Sequence, residues 1–162
     1  MEETIKLISK EGKEIEITKK EAELSELLKA AINDNPKVSS FPLNELDEKS
    51  GEKIKEYLNH LNGVEPPEIE KPILSNEMKN ITDEWSSNFI DKMTMEELVN
   101  LTVASNYMGI NCLLDLCCAK IASLCKDKNE EDIFKIFNIS EPLSEEEKNK
   151  IKEENKWIEE NL

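Results

Sequence analysis

Ile5, Leu7, Ile15 and Ile17 alternate with Lys6, Glu14 and Glu16, the period of two half-buried β-strands. Glu11-Gly12 between the two runs supplies the turn. After Thr18 the period lengthens. Leu24, Leu27, Leu28, Ala31 and Ile32 recur at three- and four-residue spacing and predict one helix, N-capped by Thr18 and ended by Asn35-Pro36. Phe41-Pro42-Leu43 reads as a short extended piece, confined by its proline to a sheet edge or strand start. Asp47 caps a second amphipathic helix through Ile54, Tyr57, Leu58 and Leu61, closed by Asn62-Gly63.

Residues 64–82 break the pattern. Pro66, Pro67 and Pro72 stand among glutamates with few apolar residues to anchor them, which predicts a mobile surface loop. Thr82 or Asp83 then opens a helix carrying Trp85 and Phe89. Thr94 and Glu97 form a capping box, each side chain satisfying an orphan backbone donor. The helix they start, with Leu98, Val99, Leu101, Val103, Ala104, Tyr107 and Met108, is apolar on most sides. Gly109 is placed to end it in the left-handed conformation. Asn111 is expected to cap Cys112–Cys125, also apolar nearly all round and therefore central.

Two further helices follow by the same capping logic, from Asn129 with Asp132 and from Ser144 with Glu147. The last is rich in lysine and glutamate, and its main apolar residues are Ile151, Trp157 and Ile158. Helices draw most of their stability from a packed face, so a tryptophan on such a helix needs a partner to cover it. That points to a docking surface, not a reaction. The elements add up to an α+β domain with a three-strand edge, about seven helices and a helical extension.

At 162 residues the chain can form one domain with an appendage. Its 21 basic and 36 acidic residues give a net charge of −15, a surface that repels nucleic acid and anionic lipid. No nucleic-acid or membrane partner is expected, while a basic protein partner is allowed. The chain opens without a basic segment leading into an apolar run, and Cys112–Cys125 is interrupted by Asp115 and Lys120 and too short to span a bilayer. All four cysteines fall in one predicted helix, where Cys118 and Cys125 would sit about 10 Å apart along the axis. Pairing along that helix is therefore excluded. No Cys-x-x-Cys spacing exists and His60 is remote in sequence, so the thiols read as small buried hydrophobes in a reducing compartment, cytosol or nucleus. His60 itself reads as a surface or half-buried helix residue. No glycine-rich phosphate loop and no nucleophile–base spacing are present, so no catalytic residue, cofactor, metal or small-molecule substrate is expected.

Several motifs then fall in one register: Trp85-x3-Phe89, Leu98-x8-Tyr107-Met-Gly-Ile110, Leu113-Leu-Asp-Leu116, Glu130-Glu-Asp-Ile133, Phe137-Asn-Ile139, Ser144-Glu-Glu-Glu147 and Glu154-Asn-Lys-Trp157. With Ile5-Lys-Leu-Ile-Ser-Lys-Glu-Gly12 and Phe41-Pro-Leu43 upstream, the chain resembles the S-phase kinase-associated protein 1 family, adaptors that join F-box proteins to a cullin scaffold in ubiquitin ligases. The resemblance spans essentially the whole chain and is weakest across 64–82, where the family carries a variable acidic loop.

The resemblance implies a BTB/POZ fold over residues 1–126, followed by a two-helix extension over 127–162 that completes the F-box-binding surface. It implies a non-catalytic adaptor with two partners, an F-box protein and a cullin N-terminal region. Asn106 and Tyr107 would face the cullin, with Phe41, Pro42 and Leu43 as a weaker second contributor. Leu116, Ile133, Phe137, Ile139, Leu143, Ile151 and Trp157 would line the F-box face, and Asn155 would offer amide hydrogen bonds. Each assignment has a plainer alternative. Tyr107 sits in an apolar helix where a core tyrosine is the default, and Leu116, Ile133 and Phe137 can face inward to hold the extension.

The chain also departs from the family. It has Pro42-Leu43-Asn44 where Pro-Leu-Pro is usual, and Gly109 where an acidic residue is usual, so cullin affinity could differ. Glu145 stands where some members have a modifiable proline. The competing reading is a BTB-type module of another complex or a homodimer. The Phe137-to-Trp157 extension argues against it, although an exposed F-box face, as an apolar patch seeking cover, makes a homodimer an expected state of the free chain.

Overall fold

Ile5 lies opposite Ile17, and Leu7 opposite Ile15, in the antiparallel ladder of β1 (Thr4–Ile8) and β2 (Glu14–Thr18). All four side chains are buried, while Lys6 and Glu14 on the other face meet as an ion pair at 2.8 Å. The computed structural model describes residues 3–141 and 143–159, so the last three residues of the expected extension lie outside the described part. β3 (Ser40–Pro42) runs parallel to β1, with Phe41 opposite Leu7, and the strand order is β2-β1-β3. Pro42 thus ends an edge strand, where a missing amide donor is tolerated.

The apolar period after Thr18 is carried by two helices, not the one expected: α1 (Lys19–Ala22) and α2 (Glu26–Asp34). Thr18 and Glu21 form the capping box of α1. The break comes because Ser25 caps α2 itself, its hydroxyl accepting from the Leu28 amide at 3.2 Å. The same hydroxyl donates to the Met108 carbonyl, a long-range bond that a local pattern does not display.

In α3 (Glu48–Leu61), Asp47 accepts from the Ser50 amide at 2.9 Å, and Asn62 closes the helix with φ 48° before Gly63 at φ 75°. Gly51 lets α3 lie directly on Ile15, since a Cβ there would collide with the isoleucine side chain. The loop expected over 64–82 is irregular but anchored. Met78 is buried in a 3-10 turn (Met78–Asn80), Ile69, Ile73 and Ile81 are half-buried against the core, and Lys71 pairs with Asp115 at 3.3 Å.

Asp83 caps α4 (Glu84–Asp91), accepting from the Ser86 amide at 2.9 Å. Trp85, Phe89 and Tyr57 form an aromatic cluster, and His60 stacks on Trp85 with ring centroids 3.7 Å apart. The Thr94–Glu97 capping box starts α5 (Met95–Met108), which ends at Gly109 with φ 63°. The helix α6 (Asn111–Cys125) begins one residue earlier than expected. Ile110 occupies the cap position, and the Asn111 amide is directed instead to Glu26 at 3.0 Å.

The chain divides into two compact units, Met1–Lys126 and Asp127–Leu162. Every buried hydrophobic residue among the described residues belongs to the first. The second consists of α7 (Glu130–Ile136), α8 (Glu145–Glu154) and α9 (Lys156–Glu159). Asn129 caps α7, and Ser144 with Glu147 forms the capping box of α8. The single terminal helix expected is interrupted at Asn155, whose side-chain amide donates to the Ile151 carbonyl at 2.8 Å. The two splits account for nine helices among the described residues, against about seven expected.

Candidate partner-binding surfaces

Leu98, Leu101, Ala104, Ser105 and Met108 form the buried arc of α5. That spacing leaves Val99, Val103 and Asn106 on the opposite side, where residues three and four apart are neighbours. All three are exposed, Val103 at 61 %. The sequence shows α5 as apolar on most sides and does not by itself set these valines apart from the buried residues.

Tyr107 continues this stripe to the end of α5, half-buried with its ring packed on the core. It therefore has a share in both readings of it, core and surface. Asn106 and Tyr107 are brought together at the helix end. Phe41 and Leu43 are not surface residues as the cullin-side expectation required. They are buried, because β3 turns both toward the apolar interior beneath the sheet, and only Pro42 of that trio is exposed. Of the residues expected on the cullin side, Asn106 and Pro42 are exposed and Tyr107 is half-buried; Val99 and Val103 are further exposed residues beside Asn106 on α5.

Among the residues expected on the F-box side, Leu116 is the exception. It is 1 % exposed, a core residue of the first unit, which corrects its expected place on an open face. The others lie in the second unit and have a different character. Ile133 and Phe137 are half-buried, and Ile139, Leu143, Ile151 and Trp157 are exposed, with Ile158 alongside them. No residue of α7 or α8 is buried. Amphipathic helices of soluble proteins normally cover their apolar stripe, so a run of this kind marks an interaction surface. The Asn155 amide is partly engaged at the end of α8, leaving its carbonyl oxygen available.

The first unit also contains a cavity of about 560 Å3 between the 64–82 segment and α6, walled by Pro66, Ile69, Tyr57, Cys112 and Leu116. Burial, followed by the neighbouring cysteines, pushes the Tyr57 hydroxyl well above its ordinary range, and burial also raises the adjoining Cys112 thiol. The buried Cys117 thiol is pushed up to about 12, again by burial. Only a thiolate is a competent nucleophile, so Cys112 and Cys117 stay protonated and inert at neutral pH. Cys118, expected among the buried thiols, is instead exposed, because it falls on the outer face of α6. Among the described residues no group of three or more His, Cys, Asp or Glu could hold a metal ion, and no helix is long and apolar enough to cross a membrane.

Comparison with known proteins bears on both units. Residues 3–63 match the Skp1 family tetramerisation domain, and residues 111–158 match the Skp1 family dimerisation domain. An S-phase kinase-associated protein 1 homolog of Tetrahymena thermophila is 38 % identical over 96 % of this chain and 94 % of its own length. Proteins named E3 ubiquitin ligase complex SCF subunit sconC are also similar. That of Arthroderma benhamiae is 32 % identical over 96 % of this chain and 95 % of its own, and that of Aspergillus clavatus 31 % identical over 99 % of this chain and all of its own.

Proposed function

The chain belongs to the Skp1 family, and from that membership we propose that it is the non-catalytic adaptor subunit of an SCF-type ubiquitin ligase. One surface receives an F-box protein and the other a cullin N-terminal region. The observation that carries this reading is the second unit, in which Ile139, Leu143, Ile151, Trp157 and Ile158 are exposed and no residue of α7 or α8 is buried. An F-box protein laid on Ile139, Leu143, Ile151 and Trp157 would give those helices the packed face they lack. The interface would be of the obligate kind, above about 2,000 Å² in total. The stripe from Val99 through Val103 to Asn106 and Tyr107 faces the scaffold: a compact apolar contact with an amide and an aromatic ring to set register.

The adaptor acts by position. It fixes which substrate receptor is held at a given end of the scaffold, and ubiquitin transfer takes place elsewhere in the assembly. Its cysteines, all free, suit the reducing cytosol or nucleus. The uncovered apolar face also favours self-association of the free chain, which an F-box protein would reverse by competing for the same face.

The test is light scattering after size-exclusion chromatography, on the chain alone, with an F-box domain, and with a cullin N-terminal fragment added. A one-to-one-to-one ternary complex is expected. F-box binding without cullin binding would refute the scaffold assignment of α5. No binding to either would leave only the family fold.

A further inference from the structure

The turn between α5 and α6 holds a carboxylate that comes from elsewhere in the chain. Glu26 opens α2, and its amide donates to the Gly109 carbonyl at 3.2 Å. Its Oε1 accepts from the Asn111 side-chain amide at 3.0 Å. Gly109, at φ 63°, makes room for it: a Cβ at that position would stand 2.9 Å from the Glu26 Cβ and 3.4 Å from its Oε2. A glutamate thus fills the space that a side chain at residue 109 would need.

This carboxylate is held but not neutralised. Glu26 is exposed, and among the described residues no cationic nitrogen lies within ion-pair distance of it. Glu23, three residues earlier, pairs with Lys29 at 3.4 Å. The turn that Glu26 rests on is the one that caps α5, where the Gly109 amide donates to the Asn106 carbonyl at 3.1 Å. A fixed, solvent-facing negative charge therefore stands at the end of the stripe formed by Val99, Val103, Asn106 and Tyr107. An acidic residue in a first helical turn also favours the helix dipole, but that role needs neither an amide clamp from another helix nor a glycine opposite.

We infer that Glu26 is the charge-recognition residue of the scaffold-facing surface, and that it receives a lysine or arginine of the cullin N-terminal region as Val99 and Val103 receive its apolar side chains. The inference rests on the reading that this end of α5 faces the scaffold. Glu26 is prearranged, so little ordering is needed when the cation arrives. Such rim charges chiefly govern association rate, salt dependence and the rejection of like-charged partners.

The experiment titrates the full chain and its Glu26→Gln and Glu26→Lys variants with a cullin N-terminal fragment at low and physiological salt, and separately with an F-box domain. The Gln variant keeps the oxygen that accepts from Asn111 and removes only the charge. It is expected to lose about fivefold in scaffold affinity and to show a flatter salt dependence, with the Lys variant losing about fiftyfold or more and F-box affinity unchanged in both. Should Glu26→Lys fail to fold by circular dichroism, the Gln variant decides alone. Gln binding within about twofold of the parent at the same salt slope, while Val103→Asp abolishes binding, would overturn the role of Glu26 and leave the surface standing. Scaffold binding unaffected by both Val103→Asp and Tyr107→Ala would overturn the surface and the inference together.

Discussion

The hydroxyl of Ser25 donates to the carbonyl of Met108 at 2.6 Å across 83 residues of sequence. Both groups are buried, and the same hydroxyl caps α2. One side chain therefore starts one helix, ends the expected longer one, and ties α2 to the end of α5 where the stripe of Val99, Val103, Asn106 and Tyr107 finishes.

Ser25→Ala should therefore lower stability by about 2 kcal/mol, since it removes a cap and orphans a buried carbonyl. Urea unfolding followed by tryptophan fluorescence would show a lower midpoint at unchanged slope. A midpoint equal to that of the parent would mean that another donor reaches Met108.

Val103 is exposed in the free chain, so Val103→Asp should change stability by no more than about 0.5 kcal/mol. Scaffold binding should nevertheless fall sharply. Tyr107→Ala should weaken scaffold binding with F-box affinity intact. Loss of both activities together with a lowered melting temperature would assign Tyr107 to the core.

Trp157→Ala should weaken F-box binding by about 2 kcal/mol or more, roughly thirtyfold, as for an aromatic anchor. The melting transition of the first unit should not move, because its buried hydrophobic core lies entirely within Met1–Lys126. Unchanged F-box affinity by calorimetry would remove Trp157 from the surface.

The carboxylate of Glu147 accepts from the Ser144 amide at 2.8 Å, and this bond holds it below the ordinary glutamate value. A group depressed in the folded state contributes stability above its unfolded value, about 4.3, and loses it as pH falls through the folded value. The helicity of α8 should accordingly decline in acid, beginning near that ordinary value. Residue-resolved NMR titration would detect it, and Glu147→Gln should abolish the acid-sensitive part. Helicity of α8 constant down to about pH 2 would contradict the assignment.

Amide hydrogens across 144–159 should exchange rapidly in the free chain and slow by about a hundredfold with an F-box domain bound. Uniformly slow exchange without a partner would show that the extension is already packed.

Much of this protein follows from local chemistry. The strand pair was legible because alternation at Ile5, Leu7, Ile15 and Ile17 permits only one face inward. The caps at Thr18, Asp47, Thr94, Asn129 and Ser144 were legible because an N-cap oxygen satisfies a donor three residues away. Gly109 and Asn62 announced their helix ends through the left-handed conformation. The ordered motifs from Trp85 to Trp157, read as a family resemblance, supplied the adaptor function.

Tertiary structure decided what local pattern cannot carry. The apolar period runs unbroken through Ser25 and does not show that this serine caps a second helix while its hydroxyl is held by the carbonyl of Met108, distant in sequence. An all-round apolar helix does not declare its outer face, so Val99 and Val103 emerged only once α5 had packed through Leu98, Leu101, Ala104 and Met108. Phe41, Leu43 and Leu116 went inward because their elements turned them to the core, and a motif match carries residue type, not burial. The sequence determined which segments form helices and strands, because capping bonds and side-chain periods act over a few residues. Which faces remain open to partners was left to packing, because burial is a property of what the rest of the chain places against each face.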